Sequence, residues 1–166
     1  QSRVQTELTI LANSNVSMSV SGRNLLSYLW STGDTTSTIG VYPHQTTTYW
    51  VSALDSDGCT VSDTLSVQTV EITFRVDLRN QPLSSNGVHV AGTWNGWNPG
   101  VDSLADANGD LIYERTIGLV VGDTIQYKFI NGNSWSDPHD QVVPNCGVGP
   151  NGNRYYEVTA TDTLTA

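Results

Sequence analysis

Between residues 70 and 78 the chain alternates without a break. Val70, Ile72, Phe74, Val76 and Leu78 are apolar, and Glu71, Thr73, Arg75 and Asp77 between them are polar. Successive side chains of an extended strand point to opposite faces, so a period of two marks a strand with one buried and one wet face. A helix would scatter the same residues around its axis. Such a strand is not stable alone and needs a sheet, and a second layer against its apolar face.

Partner strands are readable on the same grounds. Downstream, strands are predicted over 88–91, 111–117, 124–130 and 154–160, separated by Asn86-Gly87, Asn108-Gly109 and Asn131-Gly132. Asn and Gly accept the positive φ that tight turns require. Upstream, short Ser/Thr-rich strands are predicted over 6–11, 16–20, 26–30, 38–41, 48–53 and 60–67. Turn signals at Ser21-Gly22, Thr32-Gly33-Asp34, Tyr42-Pro43 and Asp55-Ser56-Asp57-Gly58 divide them. The chain has one lysine, and its bias to Thr, Val, Ser and Gly favours strands and turns over helices. The expected fold class is all-β: two tandem antiparallel β-sandwiches, residues 1–68 and 69–166, with no helix and no Pro/Gly linker between them.

Charge narrows the partners. A formal net charge of −9 with no basic stripe leaves nothing to displace counterions from phosphates, so nucleic acid and anionic membrane surfaces are disfavoured. A neutral ligand is not. No apolar run approaches membrane-spanning length, so no membrane insertion is expected. The chain starts at Gln1 without a signal peptide and reads as an excised, monomeric piece of a larger multidomain protein, secreted or at the cell surface. Cys59 and Cys146 fall in different predicted domains and are expected not to pair.

The chemistry concentrates in aromatic loops of the second half. Trp94 and Trp97 stand in Thr93-Trp-Asn-Gly-Trp-Asn-Pro, and Trp135 in Asn131-Gly-Asn-Ser-Trp-Ser-Asp-Pro. Indole presents a flat apolar face on which the C–H side of a sugar ring can stack, while short amides and a cation serve its hydroxyls. Trp97 and Trp135 suit a binding platform, the alternative being that each plugs its own sandwich edge, and Trp94, directly after a strand, reads as core. In 125–130, Ile125, Tyr127 and Phe129 should point inward and Lys128 outward beside the loops.

Other groupings point to less. Asp106, Asn108 and Asp110 have calcium-loop spacing but no downstream bidentate Glu, and acidic Gly-containing turns are common between strands, so they remain a weak metal candidate. His44, His89 and His139 show no ligand spacing, and His89, on a strand, is expected to face solvent. Asp137-Pro-His-Asp140 is the densest acidic spot, yet a glycosidase needs two carboxylates across a cleft. No cofactor is implied, and the chain is expected not to be an enzyme.

Two resemblances sharpen these expectations. Tyr28-Leu-Trp-Ser-Thr-Gly-Asp, Thr46-Thr-Thr-Tyr-Trp-Val and Asp57-Gly-Cys-Thr-Val-Ser-Asp resemble the immunoglobulin-like repeats of secreted Bacteroidetes proteins over residues 5–68. The resemblance implies Trp30 as the core tryptophan and Tyr49 as the strand-end tyrosine, with Trp50 on the opposite face as a platform or a packing contact. Those repeats often pair the Asp-Gly-Cys cysteine with an N-terminal one, which is missing here, so Cys59 is expected free and buried. Residues 70–160 resemble the starch- and glycogen-binding modules of the family 48 type, which include the glycogen-binding domain of the AMP-activated protein kinase β subunit. The carrying stretches are Gly87-Val-His-Val-Ala-Gly-Thr-Trp-Asn-Gly-Trp, Tyr127-Lys-Phe-Ile-Asn-Gly-Asn-Ser-Trp-Ser-Asp-Pro and Asn153-Arg-Tyr-Tyr-Glu-Val. This resemblance implies Trp97 and Trp135 as stacking residues, Lys128 as a hydroxyl-binding lysine and Asn153 as the residue closing the site. The segment 142–151 departs from the family's shorter loop. The implied function is non-catalytic binding of a neutral polysaccharide or oligosaccharide, α-glucan first; the rival is a structural spacer or protein-docking domain without a glycan.

Overall fold

The computed structural model describes residues 4–11, 15–140 and 150–166. It is all-β: thirteen strands and one 3₁₀ turn among the described residues, with no α-helix. The chain divides into two compact units between Thr69 and Val70.

The first unit contains β1 (Val4–Ile10), β2 (Val16–Gly22), β3 (Leu25–Trp30), β4 (Thr38–Val41), β5 (Thr47–Asp55) and β6 (Thr60–Val67). They form two three-stranded antiparallel sheets, β1-β2-β4 and β3-β5-β6. Alternation decides what lies inside. Val16, Met18 and Val20 of β2, Ile39 and Val41 of β4, and Tyr49, Val51 and Ala53 of β5 are all buried, and Trp30 is buried with them. The indole Nε1 of Trp30 donates to the Thr36 carbonyl at 2.8 Å, satisfying the one polar atom that burial would orphan. Trp50, one residue out of phase with Tyr49, stands exposed on the opposite face. Asp63 of β6 accepts from the hydroxyl of Thr6 in β1 at 2.8 Å, and this bond holds its carboxyl below the usual range. Cys59 is a free thiol but exposed, contrary to the buried position expected of it. It lies in the exposed turn between β5 and β6, where its amide donates to Oδ1 of Asp55 at 2.9 Å. Cys146 lies outside the described residues.

The second unit contains β7 (Thr69–Asp77), β8 (Val88–Gly92), the 3₁₀ turn Thr93–Asn95, β9 (Asp102–Leu104), β10 (Ile112–Val120), β11 (Thr124–Ile130), β12 (Arg154–Glu157) and β13 (Asp162–Thr165). One sheet has the order β10-β7-β13, the other β12-β11-β8-β9. The expected alternation of β7 holds, with Ile72, Phe74 and Val76 buried. They pack with Val90, Leu119, Ile125, Tyr127, Phe129 and Val158 in one core. Two strands escaped the sequence reading. β9 is only three residues long, and β13 pairs parallel to β7, unlike the antiparallel pairs of the β12-β11-β8-β9 sheet. Both lack the run of alternating residues that makes a strand legible.

His89 is buried, not solvent-facing. β8 is an inner strand, and the loop after β11 folds over its outer face, so Nδ1 of His89 meets the Gly132 carbonyl at 2.6 Å. The weak metal candidate is a self-capped turn. Asp106 accepts the amides of Gly109, Asp110 and Leu111 at 2.7–3.1 Å, and Asn108 and Asp110 bond each other. No group of three or more His, Cys, Asp or Glu side chains with metal-holding geometry occurs among the described residues. No helix among them is long and apolar enough to cross a membrane.

Candidate functional site

One face of the β12-β11-β8-β9 sheet carries an open cavity of about 720 Å³. Trp97, Trp135, Lys128 and Asn153, the four residues singled out in the sequence, all line it. Thr93, Gln126, His139, Pro150 and Asn151 complete the wall.

Trp97 is placed by the turn that ends β8. Asn95 folds back on this turn: its Oδ1 accepts the Gly92 amide at 3.0 Å, and its Nδ2 donates to Asp102 at 2.8 Å. Gly92 is the hinge. A Cβ there would lie 2.6 Å from the Gln126 carbonyl and 2.3 Å from the Trp94 ring, so only glycine allows the close approach. Gly96 then turns left-handed at φ 64°, and Trp97 follows at φ 60°, its amide bonded to the Gly92 carbonyl at 3.0 Å. The reversal aims Trp97 at the cavity while Trp94 goes to the core. Trp94 lies 4.7 Å from the Phe74 ring centroid, with Nε1 donating to Asp102 at 2.9 Å. Asp102 is buried, and Arg115 balances its charge at 3.1 Å.

Trp135 is placed by a loop built on Asp137. Oδ2 of Asp137 accepts the amides of Asn133 and Ser134, both at 3.0 Å, and the carboxylate fills the space that a Cβ on Gly132 would need. Asn131 pins the loop base by donating to the Pro82 carbonyl at 2.7 Å. Its Nδ2 and Oδ1 thus tie to 82–84 instead of closing a two-residue hairpin. The Trp135 indole Nε1 then donates to the Trp97 carbonyl at 3.1 Å. The two rings meet at 6.2 Å between centroids and 47° between planes, and the edge of His139 closes on Trp135 at 5.7 Å. Trp135 remains 39% exposed.

Lys128 differs from expectation. It does lie on the face opposite Tyr127 and Phe129, but it is only 4% exposed. Chain around residues 140 and 152 covers this face, and Nζ donates to the Asp140 carbonyl at 2.8 Å and the Gly152 carbonyl at 3.3 Å. Asn153 is also buried, its Nδ2 bonded to Oε1 of Gln126 at 3.0 Å. Asp140 accepts the Phe129 amide at 3.0 Å and the Arg154 guanidinium at 2.5 Å. Both acidic residues of the Asp137–Asp140 spot therefore hold the frame. The segment 142–151 that departs from the resembled loop lies outside the described residues up to 149; its Pro150 and Asn151 line the wall.

Gln126 is the residue that sequence reasoning could have added. It stands two positions before Lys128 on one strand, so it shares that face. His139 and Pro150 had no such signal, because loops bring them in.

No protein-family model matches the chain, and no curated protein matches it. Among solved structures it is similar to the crystal structure of gamma-CGTase from alkalophilic Bacillus clarkii, at 19% identity and a TM-score of 0.41. That likeness covers 91% of this chain and 25% of the other, so this chain spans about a quarter of that protein's length.

Proposed function

We propose that the second unit is a non-catalytic carbohydrate-binding module that holds a neutral polysaccharide, α-glucan in the first place, within a secreted or surface protein. The observation that carries this reading is the tilted pair of indoles, Trp97 and Trp135, beside an open cavity walled by amides and hydroxyls. Two aromatic faces inclined at 47° fit a chain whose successive rings curl, as α-linked glucose does. A flat ribbon-like glycan asks for coplanar platforms. The chain's negative charge disfavours an anionic glycan.

Trp97 supports the reading from its backbone. A non-glycine residue in the left-handed region costs about 1–2 kcal/mol, and such strain is retained where a side chain must be aimed. Asp137 and Asp140, the carboxylates nearest Trp135 in sequence, are engaged by backbone amides and Arg154, which supports a recognition role over acid–base chemistry for them. Affinity per module should be modest, since stacking and exposed hydrogen bonds gain little over water, and repeated modules would gain by multivalency.

The test is retention in native gels cast with soluble starch. Trp97→Ala and Trp135→Ala should each abolish retardation while thermal unfolding stays cooperative. Retardation unchanged in both folded variants would overturn the proposal in favour of a structural spacer.

A further inference from the structure

The cavity wall ends at Asn153, but the sheet face that carries it continues. β12 pairs with β11 so that Tyr155 lies opposite Gln126. Directly opposed residues of an antiparallel pair project to the same side, and so do alternate residues along one strand. Tyr155 therefore shares a face with Gln126, Lys128 and Asn153, all of which line the cavity. The Asn153–Gln126 side-chain bond across this strand pair confirms which side that is. The next residue, Tyr156, packs on the opposite side against the core, as alternation requires. Tyr155 is 52% exposed, more than either cavity tryptophan.

The amide of Gln126 also meets Oγ1 of Thr93 at 3.4 Å on its other flank. Thr93, Gln126 and Tyr155 thus form a row from the turn after β8, which aims Trp97, across β11 to the outer strand β12. Neighbouring strands lie about 4.8 Å apart, so Tyr155 sits roughly one such step beyond Gln126. That is about one sugar ring further along.

We infer that Tyr155 is a third aromatic platform, and that the ligand is a run of several linked sugar rings crossing the sheet from the tryptophan pair over Gln126 to Tyr155. A single ring or a chain end would not reach it. This rests on the polysaccharide-binding reading of the Trp97–Trp135 pair and adds to it the length of chain that the face selects. The phenol ring supplies a stacking face, and its hydroxyl stays in water.

The experiment is calorimetric titration of the whole chain with maltotriose and with maltoheptaose. Tyr155→Ala should weaken maltoheptaose binding roughly fivefold, the loss of one aromatic contact, and change maltotriose binding less than about twofold. Tyr155→Phe should bind both as the unaltered chain does. Tyr155→Thr keeps a strand-forming residue without the ring and should match the alanine variant, separating loss of the platform from loss of the strand. Unchanged maltoheptaose binding in the alanine and threonine variants overturns the inference, and so does an equal fall for both sugars. Failure of the underlying reading looks different: the unaltered chain then binds neither sugar, or Trp135→Ala leaves both affinities unchanged.

Discussion

Lys128 is the chain's one lysine, and both carbonyls it bonds belong to the covering chain, one at Asp140 and one at Gly152. A buried ammonium placed this way fastens that chain to β11. Its removal leaves two carbonyls short of a charged donor, at a cost of about 2 kcal/mol. Lys128→Ala is therefore expected to lower stability and glucan affinity together, as followed by urea unfolding and gel retardation. A loss of affinity at unchanged stability would instead make the lysine a direct ligand contact. Trp94 is the opposite case among the aromatics. Packed on Phe74 and bonded to Asp102, it belongs to the core, and Trp94→Ala should lose about 3 kcal/mol by the same measurement. Binding per folded molecule should not change, because the ring does not face the cavity.

At the scale of the element, β11 organises the site because it is covered on both sides. Its inward face packs the core with Ile125, Tyr127 and Phe129, and its outward face carries Gln126 and Lys128 under the loops. Burial pushes the Tyr127 phenol up to about 12 from an ordinary 10.0, with Arg154 opposing the shift weakly. A phenol whose pKa is raised on folding stabilises the fold fully below the unfolded value. That contribution is lost as pH climbs from about 10 to about 12, because the unfolded chain ionises first. Unfolding by urea at about pH 9 and about pH 11 should show a loss of stability that Tyr127→Phe reduces, and an equal loss in the variant would show that Tyr127 is not its source.

At the scale of the whole molecule, the second unit has its own core and all nine residues that line the cavity. A fragment of residues 70–166 is expected to fold cooperatively and to be retarded by starch as the whole chain is. Starch retention that needs residues before 70 would show that the site extends into the first unit.

Alternation alone located β7 and β11, and the turn-forming Asn and Gly residues marked most boundaries, since both effects are local. Trp97, Trp135, Lys128 and Asn153 could be named before the structure because aromatic and amide residues concentrate in a few short polar stretches. Their conversion into one surface could not be read, and neither could the burial of Lys128 and His89. Each is covered by chain distant in sequence: around 140 and 152 over the lysine, and at Gly132 over the histidine. β13 shows the same limit, because a parallel pairing with β7 joins residues about ninety apart with no local signature. Periodicity reports which side of a strand a residue takes. Whether that side meets water depends on long-range packing, which only the tertiary structure decided.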